Sequence, residues 1–454
     1  MASSEQKRSW PRRLGALVIV FALIAAAVAA FTFALCPYGS RSQVVWSEFR
    51  KQNSLDTVCI GSSLGGQSFD PAVVDEALGT TSFNMCSPLQ EVAESYLGLD
   101  EALEHHDVKR VFFVVDFASL WSKYDMYPGR VYLNEKWAGD SFGERFEDLA
   151  YALKDASWMF TEKSVNWLFP WTEQRVGFSM VGNNIAMQLN GTPLIEAASR
   201  NAQLWDWPWI YHGQGYGNYD GVCDYNADDQ QLYTKVGIEP LQEANLQCLA
   251  DICDRCAAEG IELVAFVPPK PDFGLIDLKD CYEGYSEQVK TLVEDHGGSY
   301  YDFNLARPEL FDSQERYFWD WEHLNTEGAT VFSGSLAKLM ATKDAGEDTG
   351  ALFMTYDEKL ASIDAISLAL LKDEVTADGV ELKASCLTGT NVKPEYQFLA
   401  TGADGELQVI QDYSPSDACL FSPGKSGAYT VRVNVRQQGS DVEFEKHTQH
   451  RVVV

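Results

Sequence analysis

Residues 14–35, LGALVIVFALIAAAVAAFTFAL, form an apolar run without a single charge, and this run constrains everything that follows it. At 22 residues it is long enough to cross a bilayer as a helix, the one single-segment structure that satisfies its own backbone N–H and C=O groups there. Lys7, Arg8, Arg12 and Arg13 precede it, so the positive-inside rule puts residues 1–13 in the cytoplasm and the bulk of the chain outside the cell membrane. A cleaved signal competes, because Ala25–Ala30 offers small-residue cleavage positions. FTFAL carries the run past them, however, and cleaved signals have apolar cores of ~7–15 residues. A single-pass anchor is the favoured reading.

Beyond the anchor the chain is acidic, with 35 Lys and Arg against 66 Asp and Glu and a net charge of −31. Such a surface excludes nucleic acid as a partner, because it has no basic face to displace counterions. A content of 46% hydrophobic and 12% aromatic residues excludes general disorder, and 454 residues imply about two domains with appendages. Cys253 and Cys256 form a Cys-x-x-Cys inside an expected amphipathic helix. No second pair or histidine stands at zinc spacing, so neither a metal nor any other cofactor is expected. Cys59, Cys86 and Cys248 read as small buried hydrophobes. Cys386 and Cys419 are the pair a disulfide between two strands would join.

Along the body, short apolar runs alternate with helical patterns. SLDTVCI (54–60) reads as a strand ending at Gly61, followed by a helix over 70–78. TTSFNM, VKRVFFVVDF, IELVAFVPP and SYYDFN read as further strands, separated by helices such as the one closing on Gly260. This order predicts an α/β domain over 54–340, a parallel sheet with helices on both faces and its site at the strands' carboxyl ends. An aromatic-rich insertion (118–239) breaks the alternation. Residues 341–350 read as a linker. Residues 351–454 carry short alternating runs split by Gly, Pro and Asp, the pattern of an antiparallel β-sandwich of immunoglobulin or fibronectin type.

Ser63 in TVCIGSSLGGQSFD and Asp320 and His323 in YFWDWEHLNTEGA carry the chemistry. A carboxylate that orients an imidazole beside a serine makes the serine a nucleophile toward acyl groups. Ser63 also suits a helix N-cap after a strand, and Ser62 is an alternative nucleophile. Asp302 reads as a structural hydrogen-bond former, Glu322 as solvated, and His105–His106 as a helix terminus.

With these motifs in this order the chain resembles the SGNH (GDSL-like) hydrolase superfamily, closest to its membrane-anchored extracytoplasmic branch of DltD-like and alginate O-acetylation-like proteins. The resemblance implies a triad of Ser63, His323 and Asp320, with Ser62 where many members have Asp. It implies an oxyanion hole from the backbone of Ser63 and of the turn Asn84-Met85-Cys86. It also implies a serine esterase or O-acyltransferase acting on a cell-envelope polysaccharide, with a membrane-bound O-acyltransferase as partner. Two blocks depart from the family: Cys86 stands where a glycine donor is usual, and Asp116 near where Gly-x-Asn is usual. An aspartate is a poor donor to an oxyanion. Gly182-Asn183-Asn184 is one alternative source of that amide, and a catalytically inactive scaffold that binds surface glycan is the alternative function.

The insertion holds Trp205, Trp207, Trp209 and Tyr211 in WDWPWIY. In an extended segment their period-two spacing puts all four rings on one face, suited to stacking on sugar rings. The competing reading is that the rings form the insertion's own core.

Overall fold

A computed structural model describes residues 4–121, 169–172, 175–204, 209–226 and 232–454. A long helix α1 (Ser4–Leu35) opens the chain. Its segment Arg13–Leu35, 23 residues of mean hydropathy 2.8 with none of its apolar stretch buried, is long and apolar enough to cross a membrane. The end of α1 is satisfied from far along the sequence: Asn184 Nδ2 donates to the carbonyls of Ala34 and Cys36, and Val176 N to that of Leu35. Asn184 is thereby spent as a helix-end partner and does not serve a distant oxyanion.

The sheet that follows is parallel and five-stranded: β1 (Thr57–Ile60), β2 (Ser82–Asn84), β3 (Arg110–Val114), β6 (Glu262–Val267) and β7 (Ser299–Asp302), in the order β2-β1-β3-β6-β7. All five expected strands are present. Their side chains alternate between two cores. Val58, Ile60, Val111, Phe113, Leu263 and Ala265 face one, closed by α2 (Arg41–Phe49), α5 (Val92–His105) and the helix Glu243–Glu259. Cys59, Phe112, Val114, Val264 and Phe266 face the other, closed by α4 (Pro71–Leu78) and the helix Thr326–Asp344. Burial on both faces is why these strands are apolar without alternation. The chain leaves β1 toward opposite edges, to β2 on one side and β3 on the other, so a crevice opens past the carboxyl ends of β1 and β3.

In the C-terminal region two antiparallel sheets, one of the strands Leu407–Ser414, Pro394–Thr401, Ala428–Gln437 and Lys446–Val453 and one of Ala418–Phe421, Gly379–Thr388 and Ile366–Thr376, share one core of Ile366, Leu371, Val380, Phe398, Val431 and Val433. The boundary differs from the expected linker at 341–350. The helix Thr326–Asp344 runs into that stretch, and the residues after it still belong to the α/β part. Phe353 packs on Tyr301 and Phe303, and Tyr356 on Tyr282. The change to all-β structure comes near Ile366, where the first strand of these sheets begins. The two parts touch: Lys446 pairs with Glu315 at 2.7 Å and lies over the ring of Tyr225.

The expected cysteine bridge is absent. Cys386 and Cys419 carry free thiols, and Cys386 instead approaches the Tyr396 hydroxyl at 3.6 Å. Cys253 and Cys256 lie inside the helix Glu243–Glu259, as expected, and are buried there with free thiols.

Candidate active site

Ser63 begins the short helix α3 (Ser63–Gly66), directly after β1 and one turn. That turn needs two glycines. Gly61 has φ +141°, and a Cβ there would lie 2.7 Å from Val114 Cβ. A Cβ on Gly65 would lie 2.3 Å from Val114 Cγ2, so only glycine lets α3 settle onto the sheet. Ser62 caps α3 and is buried, and its hydroxyl donates to Asp116 Oδ2 at 2.8 Å. Its proton is therefore committed. Asp116 also accepts from Ala118 N and Ser119 Oγ. The aspartate past β3 is a structural acceptor that ties β3 to the turn before Ser63.

His323 and Asp320 lie in a tight loop before the helix Thr326–Asp344. Trp319 N donates to the His323 carbonyl, and Phe318 bridges to Leu324. Asp320 Oδ1 accepts the amides of Glu322 and His323 at 2.9 and 2.7 Å, which holds the carboxylate under the loop. Its Oδ2 lies 2.8 Å from His323 Nδ1, and His323 Nε2 lies 2.9 Å from Ser63 Oγ. A carboxylate only accepts, so Nδ1 carries the proton and Nε2 presents its lone pair to the serine hydroxyl. Burial works to lower the pKa of His323, but the Asp320 charge and hydrogen bond outweigh it and the net direction is upward. For Asp320 burial works upward, and the His323 charge with three hydrogen bonds brings the net direction down. The pair is set for an imidazole that takes a proton from Ser63 and is stabilised once charged.

Two expected oxyanion donors are engaged elsewhere. Cys86 N donates to Asn84 Oδ1 at 3.0 Å and Asn84 N to the Gln214 carbonyl at 2.9 Å, while Asn84 Nδ2 donates to the carbonyls of Gly65 and Phe69. Asn84 is a buried brace under α3. The Cys86 thiol packs 3.7 Å from that of Cys59, and burial raises the pKa of the Cys59 thiol. Of the expected set, the Ser63 amide remains without a backbone partner among the described residues.

Gln67 supplies what the sequence reading missed. Its N–H bonds to the Ser63 carbonyl at 3.0 Å, so the two side chains stand one helical turn apart on the same face. Both line one cleft, together with Arg41, Gly66, Cys86 and Trp209. Trp319 Nε1 bonds to Gln67 Oε1 at 2.5 Å. Indole N–H is only a donor, so the amide oxygen must face it and the NH₂ group is left as a donor to the cleft. Trp319 in turn stacks on His323, with ring centroids 5.7 Å apart. The signal in the sequence was the position of Gln67 one turn after Ser63. Its role depended on Trp319, a contact between residues 252 apart.

Glu322 is not solvated as expected. It accepts from the Tyr233 hydroxyl at 2.6 Å and lies 3.3 Å from buried Lys270, whose ammonium also donates to Tyr233. Asp302 is the structural acceptor expected, bound by Tyr282 Oη at 2.8 Å, and burial pushes its pKa up to about 6. His105 ends α5, as expected.

Of the proposed aromatic platform, Trp205 and Trp207 lie outside the described residues. Trp209 immediately precedes β4 (Ile210–Gly213) and Tyr211 lies within it, with ring centroids 5.8 Å apart. Trp209 is buried against Gly217 and is a wall of the cleft, not an open stacking surface. A larger cleft of about 400 Å³ lies between the two parts of the chain, lined by Tyr225, Asp272, Phe311 and Ile366, and contains no member of the Ser63 cluster. Comparison with models of known protein families found no match, and neither did comparison with curated proteins.

Proposed function

We propose that this chain is an SGNH-like serine esterase or O-acyltransferase, held by a single-pass anchor with its body outside the membrane and acting on ester groups of a cell-envelope glycan. The observation that carries this reading is the unbroken relay from Asp320 through His323 to Ser63, with both hydrogen bonds under 3 Å.

In the reaction Ser63 Oγ attacks the acyl carbon while His323 Nε2 takes its proton. The developing oxyanion meets the Ser63 amide and the Gln67 NH₂ group. Collapse breaks the bond to the alcohol oxygen, which leaves with the proton from His323. Water, or a sugar hydroxyl in the transfer reaction, then attacks the acyl-serine; His323 accepts its proton and returns it to Ser63 Oγ. Asp320 keeps the ring in one tautomer and offsets its charge. The C-terminal sheets fit a role as an immunoglobulin-like spacer or glycan-binding module. A membrane-bound O-acyltransferase is the partner the transfer reaction would draw on.

The second reading is an inactive glycan-binding scaffold, favoured by Asp116 near the usual oxyanion amide and by the engaged Cys86 N–H. A fluorophosphonate probe decides between them. On the full chain in detergent micelles it should label wild type and fail on Ser63→Ala and His323→Ala. Absence of labelling in the wild type would leave the scaffold.

A further inference from the structure

Residues 176–195 carry no charged side chain, although Asp, Glu, Lys and Arg make up 22% of the chain. They hold a 3₁₀ turn (Phe178–Met180) and the helix Val181–Leu189 that follows it. This helix is reversed for a body surrounded by water. Asn184 is buried and Gln188 half-buried, while Gly182, Ala186 and Leu189 are exposed and Ile185 half-exposed. The last four have the spacing of one helical face, with only Asn183 at its margin. Phe178 lies just before that face. At 82% and 75%, Phe178 and Leu189 are more exposed than any other large hydrophobic among the described residues, those of α1 included. Two such side chains on one uncharged face mark a contact surface.

The polar face explains where the segment sits. Gln188 Nε2 donates to the Phe33 carbonyl at 2.7 Å, Asn184 Nδ2 to those of Ala34 and Cys36, and Asn184 Oδ1 accepts from Tyr38 N. These carbonyls belong to the last turn of α1, which has no partners of its own. Trp171 packs on Phe31 with ring centroids 5.5 Å apart, and Phe169 on Trp171 at 5.4 Å. The 23 residues of Arg13–Leu35 rise ~35 Å as a helix, against ~30 Å of hydrocarbon, so on the single-pass reading residues 31–35 end at the outer boundary. Rings at that level are the usual interfacial belt. The uncharged face is therefore fastened to the one point of the chain where lipid is its neighbour.

We propose that the outward face of residues 178–189 is a second membrane contact, lying against the outer leaflet beside the span and fixing how the body sits on the bilayer. Burying Phe178 and Leu189 among acyl chains removes their apolar surface from water, as in interfacial helices. Arg175, exposed and 5.7 Å from the centre of the Phe178 ring, then stands at the level of the lipid phosphates. Arg41, in the wall of the Ser63 cleft, follows Leu35 by six residues, which span at most ~20 Å. The contact thus keeps the cleft near the membrane surface in one orientation, where a body on a span alone would swing. This inference rests on the anchor reading, and the experiment separates the two.

The test uses the full chain in vesicles of phosphatidylcholine and phosphatidylglycerol, with photoreactive p-benzoylphenylalanine placed singly at Phe178, at Leu189, at Phe21 within α1, or at Leu407 in the C-terminal sheets. Leu407 is 64% exposed and controls for exposure alone. All four side chains are exposed, so each variant should keep the parent's melting temperature. On illumination Phe21 should couple to phospholipid, and Phe178 and Leu189 should do so in about tenfold or greater yield than Leu407. Coupling at Phe21 with Phe178 and Leu189 no higher than Leu407 overturns the proposal and leaves the anchor standing. Coupling of Phe178 and Leu189 to a second copy of the chain in place of lipid overturns it as well, because the face would then be a protein interface. No phospholipid on Phe21 ends the anchor reading and the proposal with it.

Discussion

His323 Nε2 sits 2.9 Å from Ser63 Oγ although 260 residues separate them in sequence. The contact exists because the loop before the helix Thr326–Asp344 returns to the carboxyl end of β1, where Ser63 begins α3. Asp320 closes the relay from within that loop, where two backbone amides and the imidazole hold its carboxylate.

Asp320→Asn should leave the melting temperature close to the parent's and cut turnover by about 10²–10⁴, since an amide supports the wrong tautomer and cannot offset an imidazolium. The pH profile adds a sharper check. His323 must be neutral to act, and its pKa lies above the ordinary 6.5 because Asp320 outweighs burial. Esterase activity should therefore rise with pH through a midpoint above 6.5 in the parent. In Asp320→Asn the two largest upward influences are gone, and burial remains with Glu322 and Lys270 acting in opposite directions, so that midpoint should move down. Rates across pH 5 to about 9 in both proteins test the direction.

Ser62→Ala and Ser63→Ala should separate cleanly. Ser62 gives its proton to Asp116 and caps α3, so its loss should cost about 1–2 kcal/mol in thermal or denaturant unfolding. Labelling at Ser63 should persist there. Ser63→Ala should lose all labelling with little change in stability. The reverse pattern would make Ser62 the nucleophile.

Gln67→Ala should lower kcat by about 10²–10³ and leave KM nearly unchanged, as expected when a donor acts on the oxyanion and not on the ground state. Gln67→Glu should lose at least as much, because a carboxylate still accepts from Trp319 yet repels the oxyanion. A rise in KM at constant kcat in either variant would move Gln67 from the oxyanion to substrate binding.

Lys270, Tyr233 and Glu322 form a buried charged cluster next to His323. Lys270→Met leaves Glu322 without its cation and should cost about 3–5 kcal/mol in unfolding free energy. Adding Glu322→Gln should recover much of that loss. Strict additivity of the two changes in a double-mutant cycle would contradict the pairing.

The strands, and the placing of Ser63 and His323 just past strand ends, were legible in the sequence because their signals are local. VFFVV is apolar throughout, and Ser63 and His323 each follow a run that ends in a turn. What was not legible depends on contacts across the sheet. Asp116 reads as a faulty oxyanion residue until its bond to Ser62 is seen, and Glu322 as solvated until Lys270 and Tyr233 arrive from other elements. Cys86 looked like a free amide, but the Asn84 side chain two residues away takes its N–H. The boundary near residue 350 was missed because Phe353 and Tyr356 return to the α/β cores after a stretch rich in Gly and Asp.

The central claim is that Ser63 becomes acylated. Wild-type full-length protein mixed with p-nitrophenyl acetate, quenched in acid within seconds and analysed by peptide mass spectrometry, should carry one acetyl group on the peptide containing Ser63. The label should accumulate further in a variant slowed in deacylation and be absent from Ser63→Ala. An acetyl group found on any other residue, or a Ser63 peptide that stays unmodified while ester is consumed, would contradict the account.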